Sequence, residues 1–166
     1  MKLLTKLFVL LLLPVALHAQ DTAVVKKQAD IVAKALIAGN YSTVVSYMHP
    51  KIVQMAGGKD KILQLMTNGM QQMKAQGVTF AAATIGSPGK FYKAGTEIHC
   101  LVPENITMKV GSSTLHSQSN LLAISRDKGK TWSFTDLNKN TIAAIPKLFP
   151  NFNKALVIPE PKQQGF

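Results

Sequence analysis

The sequence contains little cysteine, arginine or acid, and each shortage excludes a class of protein. Among its 166 residues are one cysteine, Cys100, one arginine, Arg126, and eight acidic residues against 19 basic ones. A single cysteine cannot form an intramolecular disulfide, so the fold must be stabilised by packing. Cys100 lies in the apolar run IHCLV, where a buried, unreactive side chain is the expected role.

The excess of positive charge lacks the pattern of a nucleic-acid-binding surface. The lysines are spread along the chain in runs of at most two, and arginine, which recognises bases and phosphates in a bidentate manner, occurs once. No basic strand carries the spaced aromatic residues of a stacking platform. We therefore do not expect nucleic acid as a partner, and we interpret the charge as a solvated surface.

Residues 1–19 have the layout of a secretory signal peptide. A lysine-containing start precedes an unbroken apolar run over residues 7–13, and a proline breaks the pattern before the small residue Ala19. This stretch is shorter than the roughly 20 apolar residues that a membrane-spanning helix needs. The sequence thus predicts cleavage after Ala19, a secreted or periplasmic location, and a single domain over residues 20–166 without a transmembrane segment.

Hydrophobic spacing predicts helices in the first half of that domain. Residues 21–40 and 57–77 repeat apolar side chains at helical intervals, and a short helix over residues 41–48 is expected to end before Pro50. Residues 51–55 are predicted to be extended. The helix over residues 21–40 is predicted to bury Val24, Ile31, Val32, Ala35 and Leu36. The helix over residues 57–77 is predicted to bury Ile62, Leu65, Met66, Met70 and Met73.

From Val78 onward the apolar period changes to two, which predicts antiparallel strands. Pairing Val110 with Ser113 places Val102 opposite Leu121, unless a bulge at Pro103 shifts the register by one residue. The residues then expected on the core face are Ile98, Cys100, Val102, Leu121, Ala123, Trp132 and Phe134. One or two helical turns and an irregular, proline-rich tail are predicted to complete the chain.

Helices followed by antiparallel strands predict an α+β fold. Within it, the stretch GNYSTVVSYMHPKIVQMAGGKDKI, residues 39–62, resembles the front of the nuclear transport factor 2-like superfamily, the cystatin-like cone that polyketide cyclases also have. The GGKDKI helix start and the Trp132 hairpin are similar to secreted bacterial members of unassigned activity. The resemblance implies N-terminal helices packed on a curved antiparallel sheet that encloses a pocket.

The stretch SRDKGKTW, residues 125–132, resembles the Asp-box of sialidases. Those propellers repeat the blade that carries the motif several times, whereas this chain has one copy behind a set of helices. We therefore interpret the motif as a structural turn and not as a glycosidase signature. Its expected members are Ser125, Asp127, Gly129, Thr131 and Trp132, with hydrogen bonds to the Asp127 carboxylate and a left-handed backbone at Gly129.

The resemblance also implies a ligand pocket between the last helix and the sheet. The predicted pocket residues are Tyr47, His49, Met66, Met70, Met73, Phe80 and His99. Enzymes of the superfamily place acids, histidines or tyrosines in the cone, yet no acid occurs between Asp30 and Asp60 or between Asp60 and Glu97. Glu97 could form a dyad with His99, but we favour a cross-strand ion pair between Glu97 and Arg126.

These patterns favour an exported, non-enzymatic domain that binds a small apolar or amphipathic ligand. The alternative is a lyase or isomerase of the polyketide-cyclase type that uses His49, Tyr47 or His99. An acid near these histidines would favour the enzyme, and a dry pocket of methionine and phenylalanine would favour the binder. No cofactor or metal is expected, since methionines at helical spacing are more often core than Cu(I) ligands. A homodimer is left open.

Overall fold

A computed structural model describes residues 22–165, and this part of the chain has the predicted α+β architecture. Its helices and strands are α1 (Thr22–Ile37), α2 (Tyr41–Ser46), α3 (Pro50–Met55), α4 (Lys59–Ala75), β1 (Val78–Ile85), β2 (Tyr92–Ala94), β3 (Glu97–Val110), β4 (Ser113–Ser125), β5 (Ser133–Asp136), α5 (Lys139–Leu148) and β6 (Lys162–Gly165). The strands form a curved antiparallel half-barrel, and helices pack against it.

The predicted signal peptide, residues 1–19, lies outside the described part of the chain. Within residues 22–165, each helix is too short or too polar to cross a membrane.

The hairpin of β3 and β4 forms the centre of the sheet. Val110 pairs with Ser113 and Val102 with Leu121, so the predicted register is confirmed. Pairing runs straight through Pro103, and the irregularity of this sheet lies in β1, between Phe80 and Ala82. The two long strands also pair with four shorter neighbours: β1 and β2 lie along β3, and β5 and β6 lie along β4.

The concave face of the sheet carries the core that the strand alternation predicts. The buried residues of this face are Cys100, Val102, Leu121, Ala123, Trp132 and Phe134, with Ile98 partly buried beside them. Because alternation along a strand directs every second side chain to the same face, the predicted core face of the sheet is confirmed.

Helix α1 covers the concave face with smaller residues than its predicted stripe. Val25, Ala29 and Ala33 are the α1 residues buried in this core, whereas Ile31 is 37% exposed. The rest of the predicted stripe is buried or partly buried. The prediction was therefore wrong at Ile31 and missed the contact face, because the curved sheet admits the helix closely only where its side chains are small.

The opposite face of the sheet has a second core. Leu122 and Ile124 of β4 are fully buried there against residues of α5 and of the segment that follows it, Ile145, Phe149 and Leu156. This layer is supplied by the last part of the chain, so the sheet is covered on both faces.

The end of the chain is more regular than predicted. The expected one or two turns are a ten-residue helix, α5, which follows Asn138, whose side chain accepts a hydrogen bond from the Thr141 N–H at 3.0 Å. The tail was predicted to be irregular, but it ends in β6, which pairs with β4.

Residues 51–55 are helical rather than extended, and His49 explains why. Pro50 occupies the first turn of α3, where its fixed φ suits a helix and its missing N–H is no loss. Nδ1 of His49 accepts a hydrogen bond from the Lys51 N–H at 3.2 Å. His49 thus caps the start of α3.

Helix α4 forms as predicted, but its apolar stripe is not a core face. None of the residues of α4 is buried, and Leu65 is 53% exposed. Met66, Met70 and Met73 are half-buried. Helical spacing correctly predicted the helix. It could not predict the burial, because burial depends on the surface that a helix meets and α4 lies at the margin of the half-barrel.

The Asp-box is a self-contained turn, as predicted. The Asp127 carboxylate accepts hydrogen bonds from the Lys130 and Thr131 N–H groups at 3.1 and 2.9 Å, from the Thr131 hydroxyl at 2.6 Å and from the Ser125 hydroxyl at 2.9 Å. Burial alone would raise the pKa of Asp127, but these hydrogen bonds outweigh it and lower the pKa to about 2. Gly129, with φ of 91°, supplies the left-handed backbone.

Trp132 fastens this turn to α1. Its indole N–H donates to the Gly129 carbonyl at 3.0 Å, and its ring is buried in the concave-face core. The Gln28 side chain accepts from the Trp132 N–H at 2.9 Å and donates to the Lys130 carbonyl at 3.2 Å. These contacts give the residues of the motif a structural role in the turn.

Candidate functional site

The concave face of the sheet is filled at one end and hollow at the other. Beside the core, a cavity of about 380 Å³ lies between the sheet, α1, α2 and α4. Its apolar walls include Val32, Leu36, Phe80, Ile106, Met108 and Phe134. Cavities of roughly 300–1,000 Å³ with apolar walls and a few polar groups are typical of small-molecule sites. This cavity is therefore the candidate functional site.

Glu104 is the unusual residue of this cavity. It lies on β3 two residues after Val102, so strand alternation turns both side chains toward the concave face. Glu104 is only 5% exposed, and no group within residues 22–165 donates a hydrogen bond to its carboxylate. Burial, with a smaller contribution from the negative charge of Asp136, raises the pKa of Glu104 to about 7.

Asp136 is the second acid of the cavity and ends β5. Its carboxylate accepts hydrogen bonds from the Ser119 hydroxyl at 3.4 Å and the Asn138 amide at 3.1 Å. Desolvation raises the pKa of Asp136, while the hydrogen bonds from Asn138 and Ser119 oppose that rise. The residue is exposed overall, so water screens its charge, and the stronger perturbation belongs to Glu104.

The predicted pocket residues are divided between two places. Tyr47, Met66 and Phe80 line the cavity, whereas Met70 and Met73 are not part of its lining among the described residues. His49 and His99 lie on the opposite face of the sheet, at a smaller cleft of about 170 Å³. The structure thus corrects the predicted pocket at Met70, Met73 and the two histidines.

The separation of Tyr47 from His49 follows from the path of the chain. The Tyr47 carbonyl accepts a hydrogen bond from the Phe134 N–H at 2.7 Å, and Met48 forms a bridge with Phe134. The segment between α2 and α3 therefore runs along the edge of β5. It leaves Tyr47 on the concave face and carries His49 to the other one.

His49, Glu97 and His99 form a cluster at the second cleft. Nε2 of His99 lies 3.1 Å from one Glu97 carboxylate oxygen, and Nε2 of His49 lies 3.4 Å from the other without the alignment of a hydrogen bond. Glu97 therefore contacts the histidines, and the ion pair predicted between Glu97 and Arg126 is wrong. Phe149 packs edge-on against both imidazoles, with ring centroids 5.1 and 5.9 Å apart.

This cluster is built as a structural contact between α3, β3 and the segment after α5. Because Nδ1 of His49 accepts from the Lys51 N–H, its ring proton resides on Nε2, which faces Glu97. Burial lowers the pKa of His49 more than the nearby Glu97 raises it, so the ring is neutral at pH 7. Both imidazoles are buried beside Phe149, so little of either ring is exposed to solvent.

Comparison of the chain with protein-family models, curated proteins and solved structures gives no significant match. Across residues 22–165, no three His, Cys, Asp or Glu side chains are grouped so that they could hold a metal ion.

Sequence reasoning missed Glu104 and Asp136, although one signal for the former was present. The predicted register put Val102 on the core face, and a period of two puts Glu104 there as well. The same alternation assigns His99 to the opposite face, between Ile98 and Cys100 of the core face. Asp136 carried no comparable signal, because its position depends on where β5 ends.

Proposed function

We propose that this protein is an exported, non-enzymatic binding domain that holds a small apolar or amphipathic ligand in the concave-face cavity. The observation that carries the proposal is the cavity of about 380 Å³ with predominantly apolar walls. An unfilled apolar cavity costs a protein stability, because its lining loses packing contacts. A ligand would restore those contacts.

We further propose membership of the nuclear transport factor 2-like superfamily, with a small-molecule pocket inside the cone. Helices packed on a curved antiparallel half-barrel are compatible with that fold. The cavity between these layers supports a role in holding a ligand, and the resemblance over residues 39–62 supports the family.

The binding proposal can be tested with N-phenyl-1-naphthylamine, an apolar dye that becomes fluorescent in dry pockets. We expect saturable binding by the purified protein and a loss of affinity of roughly tenfold or more in Ser117→Trp. Ser117 lines the cavity from β4, and its fixed strand position would direct a large indole into the space that the dye needs.

Gln118→Trp is the matched control. Gln118 is the next residue of the same strand, so its side chain points to the other face, and it is exposed. We expect this variant to bind the dye as the unchanged protein does. Equal weakening in both variants, or no saturable binding by the unchanged protein, would contradict a ligand site in this cavity.

The buried acid supports a second candidate, an isomerase or lyase. A general acid–base catalyst works best when its pKa lies near the working pH, and the pKa of Glu104 is raised to about 7. In this second candidate function Glu104 is the acid–base catalyst, the role for which the sequence suggested His49, Tyr47 or His99. Deuterium incorporation from heavy water into a panel of small cyclic ketones, abolished in Glu104→Gln, would establish it. Binding without exchange would favour the carrier.

A further inference from the structure

The charges that line the cavity are opposite in sign to the net charge of the chain. The sequence has 19 basic residues and eight acidic ones. Two of those acids, Glu104 and Asp136, line the cavity, and no lysine, arginine or histidine does so within the described part of the chain. A basic protein thus lines an apolar cavity with two carboxyl groups, one buried and one at the rim, without a cation among the described lining residues.

Glu104 has no hydrogen-bond donor for its carboxyl group within residues 22–165, although only 5% of the residue is exposed to solvent. The Glu104 oxygens are not fully enclosed and open to the cavity, but a carboxyl largely removed from bulk water without a donor from the protein is poorly solvated, which costs free energy. The Ser119 and Asn138 side chains meanwhile donate to Asp136 and hold it at the rim. Both of these hydrogen-bond donors therefore serve Asp136, and none of the described residues donates to Glu104.

We propose that the ligand is an amphipathic amine, with an apolar body in the cavity and a cationic head between Glu104 and Asp136. This inference rests on the proposed function and gives its ligand a chemical class. An ammonium group supplies several N–H donors and a positive charge, which are the two things that the buried acid lacks. A fatty acid would bring a third negative charge into the same space.

The apolar walls of the cavity suit the apolar body of such a ligand. Apolar side chains from three elements line the cavity: Val32 and Leu36 of α1, Ile106 and Met108 of β3, and Phe80 of β1. An alkyl or aromatic body is favoured there because it replaces water next to apolar surface. The volume of about 380 Å³ limits that body to the smaller end of the range for ligand pockets.

The pH dependence of binding follows from the same acids. Besides Glu104, the titratable residues that line the cavity in the described part of the chain are Asp136 of β5, whose charge acts on Glu104, and Tyr47, on the segment after α2. Since the pKa of Glu104 is raised to about 7, its carboxyl is neutral in mild acid and ionised above neutrality. An amine should therefore bind more tightly as pH rises through this range, provided that the amine itself stays protonated.

Three octyl compounds of equal chain length separate the contribution of the head group to the affinity from that of the apolar body. Octylamine, octanol and octanoate would be titrated as competitors of N-phenyl-1-naphthylamine at about pH 8, where an alkylamine is still protonated. We expect octylamine to bind roughly tenfold to a hundredfold more tightly than octanol, as charge-assisted hydrogen bonds imply, and octanoate to bind least. At about pH 5 the advantage of the amine over the alcohol should largely disappear.

Glu104→Gln should remove most of the advantage of octylamine over octanol, measured as the ratio of the two affinities within each variant. Asp60→Asn is the control, because Asp60 lies in the first turn of α4 and does not line the cavity. It changes the net charge equally and should leave the advantage intact. A similar loss in both variants would reveal a general charge effect and overturn the inference.

The possible results distinguish the inference of an amine ligand from the proposed binding function on which it rests. If octanol displaces the dye as well as octylamine does at both pH values, the ligand is not an amine, while the carrier function stands. If octanoate binds most tightly, the inference is also overturned. If neither the dye nor any octyl compound binds, the carrier function itself fails.

Discussion

Glu104→Gln is expected to raise the free energy of unfolding by up to about 3 kcal/mol at about pH 8, and to change it little at about pH 4. The pKa of Glu104 is about 7 in the folded protein against an ordinary value of 4.5. Folding therefore favours the protonated form, and stability falls as pH rises from the ordinary value to the raised one. Glutamine stays neutral and avoids this loss.

Urea unfolding of both proteins at a series of pH values would measure the effect. Glu160→Gln is the matched control, because Glu160 is exposed in the segment before β6, and substitution of an exposed acid is expected to change stability by less than about 0.5 kcal/mol. A gain of the same size at every pH would contradict the explanation by ionisation. The absence of a gain at alkaline pH would mean that the carboxyl is better solvated than its burial indicates.

Asp127→Ala is expected to lower the free energy of unfolding by about 2 kcal/mol or more, because four hydrogen bonds to one carboxylate are lost. The expected loss is smaller than the sum of four separate hydrogen bonds, because the turn lies at the surface and water replaces the lost carboxylate as the acceptor for some of the donors. Dye binding should be unaffected, because Asp127 lies outside the lining of the concave-face cavity. A loss of binding at unchanged stability would contradict the structural interpretation of the Asp-box.

Asp127→Asn provides the control, because it keeps an oxygen acceptor and removes the charge. We expect an intermediate loss of stability above about pH 4. The pKa of Asp127 is lowered to about 2 from 3.8, so its charge stabilises the fold above the ordinary value, and that contribution is lost as pH falls through the lowered one. The difference in stability between the unchanged protein and Asp127→Asn should accordingly shrink in strong acid.

Two local signals, the alternation of period two and the Asp-box motif, gave reliable predictions here. The register of β3 and β4, the concave-face core and the Asp-box turn are all confirmed. Each depends on residues close in sequence: a two-residue turn at Gly111 fixes the pairing, and alternation then assigns every later side chain to a face. The position of Glu104 followed from the same alternation and could have been predicted.

Helical periodicity was less informative, because it predicts a helix without identifying what the helix will meet. It correctly predicted α1 and α4, yet Ala29 and Ala33 are buried in α1 while Leu65 of α4 is exposed. The helix α3 was missed because six residues are too few for a periodic signal, and its determinants are the His49 cap and Pro50. Export and a homodimer stay predictions.

The sequence by itself determined the α+β order, the central hairpin and the turn at Asp127, since local chemistry suffices for each of them. Only the tertiary structure decided the site. The path of residues 47–49 along β5 separates Tyr47 from His49, and the half-barrel brings Glu104 and Asp136, on two different strands, to one cavity. Such placements depend on how layers pack, which no spacing within a single segment encodes.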